Sequence, residues 1–288
     1  MMSLLEAHLP IKMYYASETD PDCIEMSSNL FPHITHLGGV EGVTRDSVSG
    51  GIDLIIGGSP CQGFSFAGKQ LNFDDPRSKL FFEFARVLDE FHPKYFLLEN
   101  VSMLQEHQDI ITRYLGVHPK AINSSLVSAQ GRKRLYWTNI PILKLPHDRG
   151  VQISSVVGEG NIIVHNIYGG FSEKVCRVFD KKSPTIRTPL GGGHIPSVFA
   201  GTRGEALKLS LPILRKRVRL LLPYECGQLQ TIPVRFLEKM ISDNWCDLTL
   251  NKMIGNGFTI DVITHILNGI YIAEKGYHEI SVEEFFKQ

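Results

Sequence analysis

A cysteine directly follows a proline where an apolar run becomes glycine-rich, in the stretch IDLIIGGSPCQGFS, residues 52–65. The apolar run predicts a buried β-strand that ends in a glycine turn. A thiol in a partly exposed, electropositive loop can ionise and act as a nucleophile, whereas a thiol in an apolar core is inert. Pro60 stiffens the backbone before the thiol. The pattern makes Cys61 a candidate nucleophile at a strand end.

A carboxylate and an amide, Glu99 and Asn100, end the next apolar run, YFLLEN. In a parallel sheet the carboxyl ends of the strands meet at one edge, and ligands bind there. A lone carboxylate at a strand end is more often a helix cap or an ion-pair partner. Together with the Cys61 thiol, Glu99 and Asn100 indicate a catalytic site at this edge of the predicted sheet.

The surrounding segments alternate between strand and helix. The runs MYYASE, IDLIIGG and HPKYFLLENV predict strands, and DCIEMSSNLF and SKLFFEFARVLDEF predict helices. The stretch SSLVSAQGRKRLYWTNIP predicts two further short strands around a basic turn. Such an order favours an α/β fold, with a mainly parallel sheet covered by helices on both faces.

The helical period disappears between about residues 141 and 214. Glycines, prolines and the short runs NIIVHNIY, KVCRVF and PTIRT indicate a small β-rich domain there. Helical patterns return afterwards, in LLPYECGQLQTIP and NGFTIDVITHILNGIYIAEK. We therefore expect a catalytic domain in residues 1–140, a small domain in 141–214, and a return to the catalytic domain in 215–288.

Composition excludes several classes of protein. With 43% hydrophobic residues in 288, the chain can bury a full sheet. Its longest apolar runs are far too short to span a bilayer, and no basic head precedes an apolar stretch at the start. We expect a cytoplasmic protein with no membrane partner. Five scattered cysteines without a C-x-x-C pair argue against a disulfide framework and a zinc site, and the four other than Cys61 are expected to be buried thiols.

Charge is unevenly distributed, although the net charge is zero. Residues 171–219 contain eleven basic and three acidic residues, a net charge of +8, so the rest of the chain carries −8. A basic run is usually a solvated face. Because this block coincides with glycine-rich, turn-rich sequence, it favours a phosphate-binding surface for nucleic acid.

Five blocks resemble a known family. GGSPCQGFS, LLENV, SAQGRKR, RVRLLLPYECGQLQTIP and MIGNGFTIDVITHIL are similar, in this order, to blocks of the DNA (cytosine-5)-methyltransferases of bacteria and phages. The similarity covers most of the chain from Tyr14 onward. It implies the S-adenosylmethionine-dependent methyltransferase (Rossmann-like) sheet, with the β-rich domain as a target-recognition domain, and a restriction–modification or phage self-protection role.

The resemblance implies roles for the catalytic candidates. Cytosine C5 is a weak nucleophile, so the thiolate of Cys61 would first add to C6. Glu99 would offset the charge that develops in the ring, and Arg134, with Arg132 beside it, would bind the carbonyl oxygen of the base. The base would be flipped out of double-stranded DNA, and the loop after Cys61, residues 62–79, would close over it.

Cofactor and DNA contacts follow from the same resemblance. The methyl donor would be S-adenosyl-L-methionine, and no metal is expected. Lys181, Lys182 and Arg187 would meet phosphates, and Thr185 and Thr188 would approach the groove. The cofactor-binding residues would be Glu18 and Thr19 after the second strand of the family fold, Pro60, and Asn256 and Gly257.

The chain departs from the family in two places. By comparison with the family, the start MMSLLEAHLPIK resembles the end of the helix after the Phe-x-Gly-x-Gly cofactor loop, so we expect the first strand and that loop to be missing. Gly39 stands where relatives usually carry an aspartate that contacts adenine. That strand lies between those of MYYASE and IDLIIGG, so its loss leaves a gap or makes these two strands pair directly. Three explanations stay open: a start codon placed too late, a partner or upstream segment that supplies the strand, or a decayed gene.

Three other functions stay open. A catalytically impaired DNA-binding relative would bind DNA without cofactor. An RNA cytosine methyltransferase of the same fold is disfavoured by the long basic segment. A cysteine hydrolase is remote, since no histidine in a recognisable block pairs with Cys61.

Overall fold

The computed structural model describes residues 1–58, 76–167, 176–188 and 196–274. The strands are β1 (Tyr14–Ala16), β2 (Ile34–His36), β3 (Leu54–Gly58), β4 (Tyr95–Val101), β5 (Lys120–Asn123), β6 (Lys133–Thr138), β7 (Asn161–His165), β8 (Arg177–Phe179), β9 (Ser197–Ala200) and β10 (Val218–Leu220). The helices are α1 (Met2–Glu6), α2 (Pro21–Leu30), α3 (Pro76–Phe91), α4 (Gln105–Leu115), α5 (Ser154–Val157), α6 (Arg203–Lys208), α7 (Leu211–Arg215), α8 (Pro223–Leu229), α9 (Val234–Ser242), α10 (Asp247–Asn256), α11 (Ile260–Leu267) and α12 (Gly269–Glu274).

The first large sheet has the strand order β3-β4-β6-β5. β3 and β4 are parallel, whereas β6 runs antiparallel to both β4 and β5. The register sets Gly58 of β3 opposite Glu99, and Arg134 of β6 opposite Val101. Because these pairs lie at the carboxyl ends of β3 and β4, the sheet brings Glu99 and Arg134 to the edge where ligands bind.

Helices cover both faces of this sheet. Leu97 and Leu98 are neighbours in β4, are both fully buried, and point to opposite faces. Leu97 belongs to the cluster that includes Ile266 of α11, and Leu98 belongs to the cluster that includes Ile111 of α4. The expected α/β architecture is confirmed, but the sheet is mixed and not mainly parallel, because β6 pairs antiparallel with both β4 and β5.

β1 and β2 form a separate parallel pair. Among the described residues, no strand pairing joins β1 to β3, so the direct pairing of these two strands that the sequence leaves open as one alternative is absent there. Contacts outside the ladders connect the two sheets: the Ser49 amide, ahead of β3, donates to the Tyr15 hydroxyl of β1 at 2.9 Å.

The second four-stranded sheet is antiparallel throughout, with the order β10-β9-β7-β8. Its centre is buried: Ile163, Val164 and Phe199 are 0% exposed. It includes β10, which follows residue 214, and the expected boundary at 214 lies within α7. The β-rich segment therefore extends slightly further along the chain than the loss of helical period indicates.

Three sequence predictions about elements and thiols were wrong. Residues 124–126 form a 3-10 turn, so SSLVSAQGRKRLYWTNIP contains one strand, β6. The run PTIRT, residues 184–188, is not a strand, because its Ile186 amide donates to the Gln130 side chain at 2.9 Å. Of the four thiols expected to be buried, only Cys226 is, and Cys246 is exposed.

Within the described ranges no helix is long and apolar enough to cross a membrane.

Candidate active site

An ion pair connects the ends of β4 and β6. The Nε atom of Arg134 lies 2.9 Å from Oε1 of Glu99, and the two side chains are 14% and 12% exposed. A pair this shielded is held more firmly than a surface salt bridge, whose value is near zero. The structure therefore brings together two of the predicted catalytic residues.

Burial changes the acidity of Glu99. Desolvation raises the pKa of its carboxyl above the ordinary value, and Arg134 and Arg132 oppose the rise. Tyr136, directly opposite in the register, is 2% exposed, and the Phe258 ring lies against Gly58. These neighbours keep water away from the carboxyl. A carboxyl that holds a proton above its usual pH range can donate a hydrogen bond to a ring nitrogen.

Arg132 has different surroundings from Arg134. Its side chain is 5% exposed, and its guanidinium donates to the carbonyls of Ile186 at 3.2 Å, Gly255 at 3.4 Å and Gly257 at 3.1 Å. The first of these carbonyls belongs to the predicted DNA-binding segment. The other two belong to the predicted cofactor turn.

Two of the predicted DNA-binding side chains are used within the chain. The Lys182 ammonium donates to the carbonyls of Ser125 at 2.6 Å and Ser128 at 2.9 Å, and burial lowers its pKa. The Thr185 hydroxyl donates to the Gly131 carbonyl at 2.6 Å. Both side chains attach their segment to the loop before β6.

Lys181 and Arg187 flank these anchors and are exposed. Residues 182–186 between them are buried or partly buried, so the two cations at the ends of this stretch remain available to phosphates. Thr188 is partly buried and donates its hydroxyl to Oδ1 of Asn256 at 2.5 Å.

The carboxyl ends of β1 and β2 carry the predicted ribose site. Oε1 of Glu18 accepts from the amides of Thr19 at 2.7 Å and Asp20 at 2.9 Å, which leaves Oε2 to accept from a ligand. Position 39, where relatives carry an aspartate, is approached by another carboxylate: a Cβ added to Gly39 would lie 2.8 Å from Oε2 of Glu41. These acceptors suit the hydroxyls of a ribose.

The turn after α10 carries the other predicted cofactor residues. Asn256 is exposed, and its Oδ1 accepts from Thr188, so its amide Nδ2 remains as a donor for an anionic group. The backbone of Gly257 is already used, since its amide donates to Met253 and its carbonyl accepts from Gln230 and Arg132. Gly257 can therefore contribute space but no hydrogen bond.

Cys61 and Pro60 lie outside the described residues. Among the other thiols, burial raises the pKa of Cys226 to about 12 and that of Cys23 to about 11, so both stay protonated at neutral pH. Cys246 is exposed, and hydrogen bonds to Thr249 lower its pKa.

Sequence reasoning missed a buried polar network beside the site. Gln130 and Gln230 are each 0% exposed, and Nε2 of Gln130 donates to Oε1 of Gln230 at 3.3 Å. Gln230 also receives the Thr259 hydroxyl at 2.9 Å. Gln130 begins the basic block QGRKR, between Ala129 and Gly131. Nothing in a single sequence marks it as buried.

A family model matches just under half of the chain, in the part that carries the ion pair. Residues 2–138 match the model of the C-5 cytosine-specific DNA methylases. This part of the chain is similar to that family. The match includes both Glu99 and Arg134, and it confirms the resemblance found in the sequence.

Curated relatives of the family match shorter stretches. The Type II methyltransferase M1.ScrFI of Lactococcus lactis subsp. cremoris is 42% identical over 97 residues, which is 34% of this chain and 24% of that protein. The Type II methyltransferase M.PspPI of Psychrobacter sp. is 52% identical over 68 residues, 24% of this chain and 16% of that protein. The chain thus spans about a quarter or less of the length of these relatives in the matches.

Solved methyltransferase structures share the fold over almost the whole chain. The Dnmt2 methyltransferase of S. pombe superimposes with a TM-score of 0.69 at 16% identity, over 96% of this chain and 95% of that one. The Entamoeba histolytica methyltransferase EhMeth gives a TM-score of 0.66 at 15% identity, over 96% and 95%. The C5 methyltransferase fold therefore extends beyond the residues that the family model matches.

Within the part of the chain that the structure describes, no group of three or more His, Cys, Asp or Glu side chains could hold a metal ion.

Proposed function

We propose that the protein is a DNA cytosine-5 methyltransferase, which transfers a methyl group from S-adenosyl-L-methionine to C5 of a cytosine in double-stranded DNA through a covalent adduct with Cys61. The observation that carries this proposal is the shielded Glu99–Arg134 pair within a segment that is similar to the C-5 cytosine-specific DNA methylase family. The matched relatives are named Type II methyltransferases, which supports a restriction–modification role in the cytoplasm of a bacterial or phage-infected cell.

Glu99 and Arg134 supply the electrostatic part of this reaction. The thiolate of Cys61 forms an S–C6 bond, and the electrons of the C5–C6 double bond move toward C5 and the N3–carbonyl side of the ring. Glu99, whose pKa burial raises, would donate a hydrogen bond to N3 from its protonated form, which the cytosine ring favours as charge develops there. Arg134, which lies against Glu99, binds the carbonyl oxygen. Both interactions strengthen as charge develops, which is what lowers a barrier.

The cofactor supplies the methyl group as an electrophile. Glu18 would accept from its ribose hydroxyls through the free Oε2, and the Asn256 amide would donate to its carboxylate. After C5 is methylated, a base removes the C5 proton, the S–C6 bond breaks, and Cys61 is regenerated as a thiolate.

The target cytosine must leave the helix before Cys61 can reach C6. Flipping a base costs a few kcal/mol of stacking and pairing. Lys181 and Arg187, the exposed cations of residues 181–188, would bind the phosphates that flank the flipped base. The β-rich segment from Asn161 to Leu220 would act as the target-recognition domain.

A catalytically impaired DNA-binding relative is the second candidate. The separation of β1–β2 from the β3-β4-β6-β5 sheet favours it, because the predicted ribose site follows β1 whereas Glu99 and Arg134 lie in the other sheet, and no strand pairing among the described residues holds the two in register. Such a relative would retard DNA and bind no cofactor.

Genome sequencing after bisulfite conversion tests the proposal. The chain would be expressed in a bacterial host that lacks cytosine methylation, alongside Cys61→Ala. We expect protected cytosines in one sequence context with the parent chain and none with the alanine variant. If soluble parent protein protects no cytosine, the chain is not an autonomous methyltransferase, and DNA retardation would then identify the impaired relative.

A further inference from the structure

The predicted DNA-binding segment and the predicted cofactor turn are in direct contact. A Cβ added to Gly255 would lie 2.8 Å from both the carbonyl carbon and the oxygen of Arg187. One residue further along each segment, the Thr188 hydroxyl donates to Oδ1 of Asn256 at 2.5 Å. Only glycine permits so close a backbone approach, so the contact is built into the sequence of the turn.

Arg132 lies beneath this contact and bonds to both sides of it. Its guanidinium donates to the Ile186 carbonyl on one side and to the carbonyls of Gly255 and Gly257 on the other. A buried cation is stable only when its donors find acceptors, and three backbone carbonyls accept from this guanidinium. Displacing either segment would leave part of the guanidinium without acceptors.

The two buried glutamines repeat the same connection. Oε1 of Gln130 accepts from the Ile186 amide at 2.9 Å, and Nε2 of Gln230 donates to the carbonyls of Ile254 and Gly257, each at 3.0 Å. The glutamines are bonded to each other at 3.3 Å. Each segment is therefore held at two points, once by Arg132 and once by one of two glutamines that bond to each other.

We propose that Arg132 is a positioning residue that locks residues 183–188 and residues 254–257 into one rigid unit, so that a ligand bound at either segment changes the affinity of the other. The inference rests on the proposed function for the identity of the two ligands, DNA at the first segment and the cofactor at the second. Linkage makes the effect reciprocal: if the cofactor product tightens DNA binding, DNA tightens binding of the product by the same factor.

Hydrogen exchange on the ligand-free protein tests the rigid unit directly. In Arg132→Met, peptides that cover 183–188 and 254–257 should both exchange faster, by about tenfold or more, because both segments lose an anchor. Arg113→Met is the matched control, since Arg113 is an exposed arginine in the last turn of α4. Faster exchange in only one segment, or in neither, overturns the proposal.

Binding measurements test the coupling. The affinity for a DNA duplex would be measured with and without S-adenosyl-L-homocysteine, and we expect the parent protein to bind DNA about fivefold or more tightly with the product present. Thr188→Val should reduce that factor toward one, whereas Thr35→Val, at an exposed threonine of β2, should not. An unchanged factor in Thr188→Val would contradict the coupling.

The two experiments separate this inference from the proposed function. If the parent protein binds neither DNA nor S-adenosyl-L-homocysteine, the proposed function fails, and the exchange rates still decide whether Arg132 forms the rigid unit. If Arg132→Met does not fold, Thr188→Val still decides the coupling, because it removes a single hydrogen bond at a partly exposed site.

Discussion

Glu99 illustrates how one side chain acquires its chemistry from its neighbours. Its position at the end of an apolar run is visible in the sequence, but its acidity depends on the desolvation that Tyr136 and Phe258 bring from other elements. The nearby guanidinium of Arg134 limits the rise of the pKa without reversing it. The structure therefore contains a carboxyl group that keeps its proton to higher pH than an exposed glutamate does.

Glu99→Gln should change how stability depends on pH. A carboxyl with a raised folded-state pKa stabilises the fold below its unfolded pKa, and this contribution is lost as the pH rises through the folded-state value. The free energy of unfolding of the parent protein should therefore fall relative to that of the variant as the pH rises above about 4, the ordinary pKa of a glutamate. Urea unfolding of both proteins at a series of pH values from about 4 upward measures this difference. If the difference in the free energy of unfolding between the two proteins stayed constant with pH, burial would not raise the pKa of Glu99.

Lys181 and Lys182 show why adjacent cations can have different roles. Lys182→Ala removes an ammonium that donates to two backbone carbonyls, and it should lower the free energy of unfolding by about 1–2 kcal/mol. Lys181→Ala should leave stability within about 0.5 kcal/mol, since its side chain is exposed.

DNA binding should distinguish the same two variants in the reverse way: Lys181→Ala should change it and Lys182→Ala should not. If Lys181 meets a phosphate, its loss should reduce the slope of log Kd against log salt by about one, and Lys182→Ala should leave the slope unchanged. Titrations at several salt concentrations measure the slopes. Equal slopes for both variants would argue against the assignment of Lys181.

At the scale of elements, short-range patterns predict the strands and helices of the first sheet well. β1, β3, β4, α2 and α3 all lie where the apolar periodicity indicates. The prediction of strands was wrong in two segments where hydrogen bonds that involve side chains replace the backbone hydrogen bonds of a β-ladder. Residues 124–126 turn because the Asn123 side chain accepts from the Ser125 amide at 3.1 Å, and residues 184–188 bond to Gln130 and Gly131 instead of a strand.

Gly255→Ala should be costly because the backbone of Arg187 occupies the space that a methyl group needs. Overpacking of this kind typically costs about 1–3 kcal/mol. Gly42→Ala is the matched control, since no atom lies within 4 Å of a Cβ at that glycine. Thermal unfolding of the two variants should show a lower Tm for Gly255→Ala alone. Equal melting temperatures would mean that the two segments are not in close contact.

At the scale of the whole molecule, apolar packing joins the second sheet to α2 and α10, and polar anchors join the segment after β8 to the loop before β6 of the first sheet. One buried cluster contains Ile163 and Val198 of the second sheet together with Met26 of α2 and Leu250 of α10. Lys182, Thr185 and Gln130 add hydrogen bonds between the first-sheet loop and the segment that follows β8. The two sheets should therefore unfold together, although the sequence predicts separate domains.

The two tryptophans report on the two halves. Trp137 lies in the core of the first sheet, and Trp245 packs against the cluster that contains the second sheet. Trp137→Phe and Trp245→Phe each leave a single tryptophan. For each variant, the unfolding curve measured by fluorescence should coincide with the curve measured by circular dichroism. Curves that separate within one variant would show two independently folding units.

The sequence by itself determined the family blocks, the alternation of strands and helices, and the positions of Glu99 and Arg134 at the ends of β4 and β6. These follow from local periodicity and from motif spacing. Only the tertiary structure decided that Lys182 faces inward, that Gln130 meets Gln230, and that Thr188 bonds Asn256. The last two pairs are separated by 100 and 68 residues along the chain, so the direction of each side chain depends on packing between distant segments, which no local pattern encodes.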